Sequence, residues 1–279
     1  MKPQAFEYRR VNKVSEALQW LDEDGENARI LAGGQSLVIL LNMRLAQPAR
    51  LLDISRCAEL NYLRQEKGML CIGASTTQAR LQYWPELAET VPLLAEAIPF
   101  ISHYQIRNRG TVVGSIAHAD PSAELPLCLA TLGGCVVLRS RKKSRELAVA
   151  QFQQGMLTTA KQTNEMVTEV RFPVASQGHG YAFDEFALRR GDFAIVACAA
   201  QVGPEMIRLG IGGVADKPVV AEWKRSDAAS FGRRLNDLAW QLNAQDDQHA
   251  SAAYRRHLVR ELGQNTIETA LSRCAGNKE

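Results

Sequence analysis

Several common features are missing from this sequence, and each absence excludes a class of protein. No segment approaches the roughly 20 consecutive apolar residues that a membrane-spanning helix needs. Residues 1–10 lack the apolar stretch of a signal peptide. The 33 basic and 30 acidic side chains nearly balance, and the one basic cluster, residues 139–145, is predicted to be a solvated turn. We therefore expect a cytoplasmic protein with no membrane span and no nucleic-acid partner.

Closely spaced cysteines are also absent. None of the six cysteines belongs to a C-x-x-C pair, and most lie in apolar runs, where a free thiol behaves as a small hydrophobe. Iron–sulfur clusters need closely spaced thiolates, so we expect no cluster within this chain. The residues predicted to be reduced thiols of the core are Cys57, Cys71, Cys128, Cys135, Cys198 and Cys274.

The signature motifs of several enzyme classes are missing as well. The sequence contains neither the G-x-G-x-x-G fingerprint of Rossmann folds nor a phosphate loop that ends in Gly-Lys-Ser/Thr. It has no Gly-x-Ser-x-Gly nucleophile elbow and no His-Glu-x-x-His zinc motif. We therefore assign no catalytic acid, base or nucleophile and no metal ligand.

The chain does have the material for a large core, with 46% hydrophobic residues in a length of 279. Its first part alternates strand and helix patterns, which predicts an α/β layout. Helices are predicted over residues 14–22, with Ser15 as a possible N-cap, over residues 76–83 and 87–97, and near Pro126. The predicted strands of this part are Ala28–Leu31, residues 50–54, residues 69–72 and Cys135–Arg139.

The sequence pattern changes near Pro173. A glycine-containing connection follows, then strand patterns over residues 194–202 and Met206–Gly212, and a helical pattern from about Ala228 to the end. We predict a domain boundary near residue 175, which divides the chain into residues 1–175 and 176–279.

One candidate ligand loop follows the first predicted strand and reads Ala32-Gly33-Gly34-Gln35-Ser36. Paired glycines allow successive backbone N–H groups to turn toward one point, which makes an anion site. Gln35 and Ser36 add side-chain hydrogen-bonding groups. A tight strand-to-loop turn is the alternative interpretation.

A second candidate loop lies within residues 107–121 and is long and polar. Gly110 and Gly114 permit close backbone approach to a ligand, and Thr111 and Ser115 can donate hydroxyls to phosphate oxygens. His118 has no second histidine at metal-ligand spacing, so a hydrogen-bonded structural role is favoured over a base or a metal ligand.

A run of ordered motifs resembles the medium subunits of the xanthine dehydrogenase and carbon monoxide dehydrogenase family. The resemblance covers nearly the whole chain and is more specific than either loop alone. The motifs are Ala32-Gly33-Gly34-Gln35-Ser36-Leu37, Asn42-Met43-Arg44-Leu45-Ala46, Gly73-Ala74-Ser75-Thr76-Thr77, Arg107-Asn108-Arg109-Gly110-Thr111, His118-Ala119-Asp120-Pro121 and Arg189-Arg190-Gly191-Asp192-Phe193-Ala194-Ile195-Val196.

The resemblance implies an α+β fold: an FAD-binding domain of the vanillyl-alcohol-oxidase type in two α/β parts, then a smaller C-terminal domain of antiparallel sheet and helices. It also implies that FAD lies extended between the domains. The residues implied around the pyrophosphate are Arg29, Ile30, Leu31, Ala32, Gly33, Gly34, Gln35 and Ser36 from one side and Gly110, Thr111, Val112, Val113, Gly114 and Ser115 from the other. The residues implied near the adenine and sugar are Ile101, Ala117, His118, Asp120 and Glu124.

Two positions depart from the family pattern. The second loop of relatives usually reads Thr-Ile-Gly-Gly, but Val113 replaces the first glycine of the pair. Valine resists positive φ, so either the backbone there has β-region angles or the affinity for flavin is reduced. Glu185 stands where many relatives carry a lysine close to the flavin ring, and the loss of that cation is expected to lower the flavin's reduction potential.

The function implied by the resemblance is electron transfer within a molybdenum hydroxylase. A large molybdopterin-binding subunit would hydroxylate the substrate, a small subunit would carry 2Fe-2S clusters, and the FAD of this chain would deliver electrons to an external acceptor. A dimer of heterotrimers is the expected assembly. The alternatives are a scaffold subunit that binds flavin poorly and a self-sufficient flavin oxidoreductase of the same fold.

Overall fold

The computed structural model describes residues 1–226 and 231–276. The predicted onset of the last helical region at Ala228 lies outside the described residues. All six cysteines are buried and carry free thiols, as predicted. None of the described helices has the length and apolar character to cross a bilayer.

The chain begins with a small parallel sheet. Strands β1 (Glu7–Arg10), β2 (Ala28–Leu31) and β3 (Arg50–Asp53) pair in the order β1-β3-β2. Helices α1 (Val14–Asp24) and α2 (Leu37–Asn42) connect them. This is the α/β layout expected from the alternating pattern.

Helix α1 forms because it has one apolar stripe. Its buried side chains are Val14, Ala17, Leu18 and Leu21, at the i, i+3, i+4 spacing of a core-facing helix. The prediction that Ser15 caps this helix is wrong, because α1 begins one residue earlier. The Val14 N–H donates instead to Glu59 Oε2 at 2.9 Å, an acceptor 45 residues away that local sequence reasoning cannot find.

The second sheet contains five strands and is antiparallel throughout. Its order is β4-β5-β10-β6-β7, with the buried strand β10 in the centre. The bounds are β4 (Leu63–Glu66), β5 (Met69–Gly73), β6 (Cys135–Arg139), β7 (Ser144–Ala148) and β10 (Met166–Pro173), and a separate pair is formed by β8 (Gln153–Gly155) and β9 (Thr158–Thr159). The basic cluster at residues 139–145 includes the exposed turn between β6 and β7, as predicted.

Seven helices accompany this sheet in the described residues. They are α3 (Gln78–Gln82), α4 (Leu87–Thr90), α5 (Pro92–Ala97), α6 (Tyr104–Arg107), α7 (Val112–His118), α8 (Glu124–Leu132) and α9 (Val149–Phe152). The prediction of one helix over residues 87–97 is wrong, because Pro92 divides it. Val91 has φ −140° and ψ 77°, since the residue before a proline is disfavoured in the α region.

A third sheet of four antiparallel strands forms the rest of the fold. It consists of β11 (Gly180–Phe186), β12 (Val196–Val202), β13 (Met206–Gly212) and β14 (Val219–Lys224). Helices α10 (Phe231–Gln241) and α11 (Ala252–Gly276) complete it. The predicted α+β architecture is therefore present, with one parallel and two antiparallel sheets.

The third sheet is covered on both faces. Alternate strand residues such as Cys198 and Leu209 form a core with α10 and α11, whereas Ala197 and Ala199 face the other way and join the core that contains α8. On that second face Gly210 allows close packing, because a Cβ there would lie 2.9 Å from Leu127 Cδ1 of α8. Helix α8 thus packs between the second and third sheets. The domain boundary near residue 175 stays a prediction.

Candidate functional site

The first loop, residues 32–36, leaves β2 at the carboxyl edge of the parallel sheet. The strand register aligns Leu31 with Asp53 and Asp53 with Arg10, so the three strands end together. Ligands of parallel sheets bind in the crevice outside the carboxyl ends of the strands. The loop is therefore positioned where a ligand of such a sheet is expected.

The first loop has backbone donors that the protein does not use. All its residues are partly exposed, and within the described chain the N–H groups of residues 33–36 meet no protein acceptor. Gly34 has φ 75°, in the left-handed region that favours glycine. The side chain of Gln35 turns back on the loop, because its Nε2 donates to the Gly33 carbonyl at 2.9 Å. Clustered free N–H groups are the arrangement that an anion site requires.

The second loop, residues 110–115, has its backbone fixed by pairing with the segment after β5. Thr111 forms an isolated antiparallel bridge with Thr77. Beside this bridge the Gln78 N–H donates to the Gly110 carbonyl at 2.8 Å. The Thr111 hydroxyl is also committed, because its oxygen accepts the Gly114 N–H at 3.0 Å and so caps α7. In this structure Thr111 is a helix cap as well as a candidate ligand residue.

The two loops touch each other through their glycines. A Cβ added to Gly33 would collide with the Arg109 carbonyl oxygen and would lie 2.7 Å from Gly110 Cα. Gly110 is equally confined, since a Cβ there would lie 3.2 Å from Gln78 Oε1. That Gln78 oxygen is buried and has no hydrogen-bond partner in the described residues. Two loops that are distant in sequence therefore form one continuous site.

Val113 does not have the conformation that either sequence-based alternative assumed. It is the second residue of α7, so its backbone is helical and neither extended nor at positive φ. Its side chain is 2% exposed and belongs to the large core cluster. The expectation of β-region angles is wrong, and a reduced affinity for flavin stays a prediction.

The residues after α7 bring several ionisable side chains close to the loops. His118 is half-buried at the end of α7; its ring makes no hydrogen bond with the described residues, contrary to the hydrogen-bonded role that was favoured. Burial lowers the pKa of His118. Asp120 accepts the Ser122 N–H at 2.9 Å. Glu124 is the first residue of α8 and is buried, which raises its pKa to about 7.

Glu185 lies in β11, the first strand of the third sheet. Its Oε2 atom is buried without a hydrogen-bond partner in the described residues. Burial raises the pKa of Glu185 to about 8, and the neighbouring carboxyls of Glu124 and Asp184 act in the same direction. The resemblance assigned Glu124 to the adenine and sugar region and Glu185 to the flavin ring, yet the two side chains are close enough to interact electrostatically.

The arginines of the site have different roles. Arg107 is structural: its guanidinium donates to the Ile101 carbonyl at 2.6 Å and to Gln82 Oε1 at 3.0 Å. Ile101 is buried, and Arg109 is exposed. The segment 189–192 is an exposed turn between β11 and β12 without an ion pair among the described residues.

Each sequence-predicted residue can be assigned a position. Strand β2 contains Arg29, Ile30 and Leu31, and the first loop contains Ala32, Gly33, Gly34, Gln35 and Ser36. Helix α7 contains Val112, Val113, Gly114, Ser115, Ala117 and His118, and it is preceded by Gly110 and Thr111. The remaining residues are Ile101 before α6, Asp120 before α8, Glu124 in α8 and Glu185 in β11. Sequence reasoning missed Gln78, because only its contact with Gly110 reveals it. No cluster of metal-ligating side chains exists among residues 1–226 and 231–276.

The fold and the two-loop site together define a protein with a backbone-lined anion site at the edge of a parallel sheet. A family model described as "FAD binding domain in molybdopterin dehydrogenase" matches residues 4–175. The chain belongs to this family. Its first part is an FAD-binding domain of the molybdenum hydroxylase type, and the predicted family and fold class are confirmed.

Known relatives agree with this family along the whole chain. The sequence is 35% identical over 292 residues to the 6-hydroxypseudooxynicotine dehydrogenase complex subunit alpha of Paenarthrobacter nicotinovorans, covering 100% of this chain and 99% of the relative. It is 40% identical over 206 residues to the caffeine dehydrogenase subunit beta of Pseudomonas sp. (strain CBB1), covering 74% and 70% of the two chains. Its homologues are subunits of oxidoreductase complexes.

A solved structure is similar over nearly the same length. A chain of carbon monoxide dehydrogenase from Hydrogenophaga pseudoflava, in a form that lacks the Mo-pyranopterin moiety of the molybdenum cofactor, superposes with a TM-score of 0.91 at 29% identity. The match covers 98% of this chain and 100% of that chain. The third sheet and its helices are therefore part of the shared fold.

Proposed function

We propose that this chain is the FAD-binding electron-transfer subunit of a molybdenum hydroxylase complex. In this role it accepts electrons from 2Fe-2S clusters of a small partner subunit and passes them through FAD to an external acceptor. The observation that carries the proposal is the set of unused N–H donors at residues 33–36, which abut a second glycine loop inside an FAD-binding domain.

The residues present fit the pyrophosphate of FAD. Free N–H groups of the first loop can donate to its oxygens without losing any hydrogen bond within the protein, because none exists there. Gly33 and Gly110 leave no side chain between the two backbones, which keeps the loops in contact. The first side of the pyrophosphate site also includes Arg29, Ile30, Leu31, Ala32 and Gly34 to Ser36. The second side also includes Thr111 to Ser115.

The other ends of the cofactor are assigned to residues beyond the loops. We assign Ile101, Ala117, His118, Asp120 and Glu124 to the adenine and sugar portions and Glu185 to the flavin ring. When bound, the flavin supplies the redox chemistry, and the protein's contribution is to bind, orient and tune it. Buried polar atoms without partners, Gln78 Oε1 and Glu185 Oε2, are the groups that a bound ligand or water would satisfy.

The proposed partners are a large molybdopterin-binding subunit and a small 2Fe-2S subunit, assembled as a dimer of heterotrimers. Support comes from the relatives, two of which are named as subunits of dehydrogenases. A scaffold that binds flavin poorly was conceivable mainly because of Val113. The buried, helical position of that residue counts against the scaffold hypothesis, because the Val113 side chain faces the core.

The proposal is tested by the absorption spectrum of the full-length chain after gentle purification. We expect the visible bands of oxidised flavin, and we expect added FAD to lose fluorescence as it binds to any vacant chains. The control is the same chain with Gly33→Val, which fills the contact between the loops and should not retain flavin. A purified, folded wild-type chain that neither carries nor binds FAD would contradict the proposal.

The electron-transfer part needs a separate measurement. Affinity purification of the tagged chain from cells that also express its neighbouring genes should recover a molybdenum-containing subunit and an iron–sulfur subunit. Chemical reduction of the clusters should then bleach the flavin bands in the complex. Recovery of a chain that binds FAD but never associates with such subunits would favour the self-sufficient oxidoreductase.

A further inference from the structure

Helix α2 is apolar on nearly every side, and part of it faces solvent. Its sequence is Leu-Val-Ile-Leu-Leu-Asn, yet only Leu41 is buried. Val38 and Ile39 are 43% and 56% exposed. A helix that is hydrophobic all round belongs in a buried position. The described residues leave the outer side of this helix without such a cover.

The apolar surface continues past the end of α2. Met43 is 51% and Leu45 is 69% exposed. Ile39 and Met43 are four residues apart and therefore share one face. The Leu45 N–H donates to the Leu40 carbonyl at 2.9 Å, which folds the chain back onto the end of the helix. Single exposed apolar residues are ordinary, but a contiguous group marks an interaction site. We call Val38, Ile39, Met43 and Leu45 the α2 patch.

The backbone that presents the α2 patch is fixed. Arg44 has φ 59°, in the left-handed region that residues with a side chain rarely adopt. Its N–H donates to the Leu41 carbonyl at 3.0 Å, and its carbonyl accepts a hydrogen bond from Gln47 Nε2 at 2.9 Å. A surface that is preformed in this way can bind a partner with little rearrangement.

The charges along the chain around the α2 patch have one sign. Residues 27–52 contain three arginines and no aspartate or glutamate. Arg50 is committed to two carboxylates within the protein. Arg44 is exposed, and among the described residues its guanidinium meets only the Lys2 carbonyl, at 3.4 Å. An apolar centre with an uncompensated cation beside it is complementary to an apolar surface with an acidic rim.

The α2 patch adjoins the proposed flavin site. The Val38 N–H donates to the Gly34 carbonyl of the first loop at 3.0 Å, and a Cβ on Gly34 would lie 3.2 Å from Val38 Cγ2. Six helical residues extend only about 9 Å, so a protein seated on the patch would lie next to the first loop. In the proposed function, the partner that must come this close to FAD is the one that delivers electrons.

We propose that the α2 patch is the docking surface for the iron–sulfur subunit of the complex, which covers it with an apolar surface rimmed by acidic side chains. This inference rests on the proposed function. Ile39 and Met43 form the apolar centre of the contact, and Arg44 is the charged residue at its rim. Docking there brings the electron donor beside the first loop and completes the burial that α2 lacks in the isolated chain.

The test is co-purification of the tagged full-length chain with the products of its neighbouring genes. Ile39→Asp and Met43→Asp put a carboxylate in the apolar centre, and we expect at least about tenfold less iron–sulfur subunit per tagged chain, with unchanged FAD content. The matched control is Met206→Asp, because Met206 is 40% exposed but lies in β13 of the third sheet. It should recover as much iron–sulfur subunit as the wild type.

Charge variants of Arg44 test the chemistry of the partner. Arg44→Glu should weaken the association of the purified subunits by about tenfold at low salt, and Arg44→Lys should preserve it, because an acidic rim responds to the sign of the charge. The difference between the two variants should shrink in 1 M salt, where the Debye length is about 3 Å. Equal association of Arg44→Glu and Arg44→Lys would overturn the acidic partner surface.

Several outcomes of the co-purification would overturn the docking surface. One is full recovery of the iron–sulfur subunit by a folded Ile39→Asp chain, and another is an equal loss in Met206→Asp. Loss of FAD by the variants would place α2 in the flavin site instead. A defect confined to self-association of the chain, or to its binding of anionic lipid vesicles, would assign the patch to a different occupant.

Two further points keep these outcomes distinct. Leu45→Asp lies beyond the helix and provides the same test if Ile39→Asp does not fold. A wild-type chain that binds FAD but never associates with an iron–sulfur subunit would refute the electron-transfer function itself, before any variant of the α2 patch is compared.

Discussion

The two loops of the site are alike in sequence and opposite in structure. Both contain two glycines followed or preceded by small polar residues. The first loop is partly exposed and has unused N–H donors, whereas the second is largely buried, with Thr111 4% and Val113 2% exposed. The Val112 N–H of the second loop donates to the Thr76 carbonyl beside the bridge to Thr77, and the Gly114 N–H donates to the Thr111 hydroxyl that caps α7.

This difference indicates a division of roles. We propose that the first loop supplies hydrogen-bond donors to a ligand and that the second supplies the surface against which the first is held. A bulky residue is tolerated at position 113 because that position faces the core, and it is excluded at position 33 because that position faces the other loop. Glycine is required at position 33 because the backbones of the two loops are in contact there.

The largest effect is expected at the core side of the second loop. Changing Val113→Gly should lower the free energy of unfolding by about 3 kcal/mol, because it empties a buried site and adds a glycine within a helix. Urea denaturation measures this loss. Val38→Gly, at an exposed site of α2, should cost less than about 1 kcal/mol. A Val113→Gly chain as stable as wild type would contradict the proposal that the second loop faces the core at position 113.

A somewhat smaller loss is expected at the contact between the loops. Gly33→Ala should destabilise the fold by about 2 kcal/mol, because its Cβ meets backbone atoms that have little room to move. It should also abolish flavin retention, which Val113→Gly should only weaken. Gly232→Ala is the matched control, since a Cβ there meets nothing within 4 Å. Normal FAD binding by Gly33→Ala would show that the loops need not touch.

The smallest effect concerns the cap of α7. Thr111→Ala removes the acceptor of the Gly114 N–H and should cost about 1 kcal/mol, whereas Thr111→Ser keeps the oxygen and should cost little. Thermal unfolding of both variants gives the comparison. If Thr111→Ala reduces FAD affinity much more than it reduces stability, the second loop also contacts the ligand through this hydroxyl.

The backbone conformation of the first loop could be predicted from the sequence better than that of the second. A Gly-Gly pair after a strand permits a turn that other residues resist, and the structure has Gly34 at φ 75° in the loop after β2. Val113 was misjudged because the comparison with Gly-Gly relatives suggested positive φ, although Thr111 starts a helix through a local cap. The contact of Gly33 with residues 109 and 110 depends on tertiary packing and has no signal in the sequence.

Helices and strands could be predicted from the sequence where a single hydrophobic pattern, helical or strand-like, dominated the segment. Strand Met206–Gly212 and strand Ala28–Leu31 have the predicted bounds, because apolar runs and turn residues delimit them. Strand β10 was not predicted, although it is the centre of the five-stranded sheet. It contains Glu169, a charged residue that is buried because Tyr62 and Arg64 bind its carboxylate from other strands and loops. Hydrogen bonds of this kind to a buried carboxylate cannot be predicted before the tertiary positions of the partners are known.

Helix α8 makes the two halves of this protein interdependent. All nine of its residues are buried, some against the FAD-binding half and some against the third sheet. A truncated chain that ended near residue 175 would match the whole family model, yet it would leave the sheet-facing side of α8 in water. The boundary of the family model therefore does not mark a unit that buries its own apolar surface, because part of α8 is covered by the third sheet.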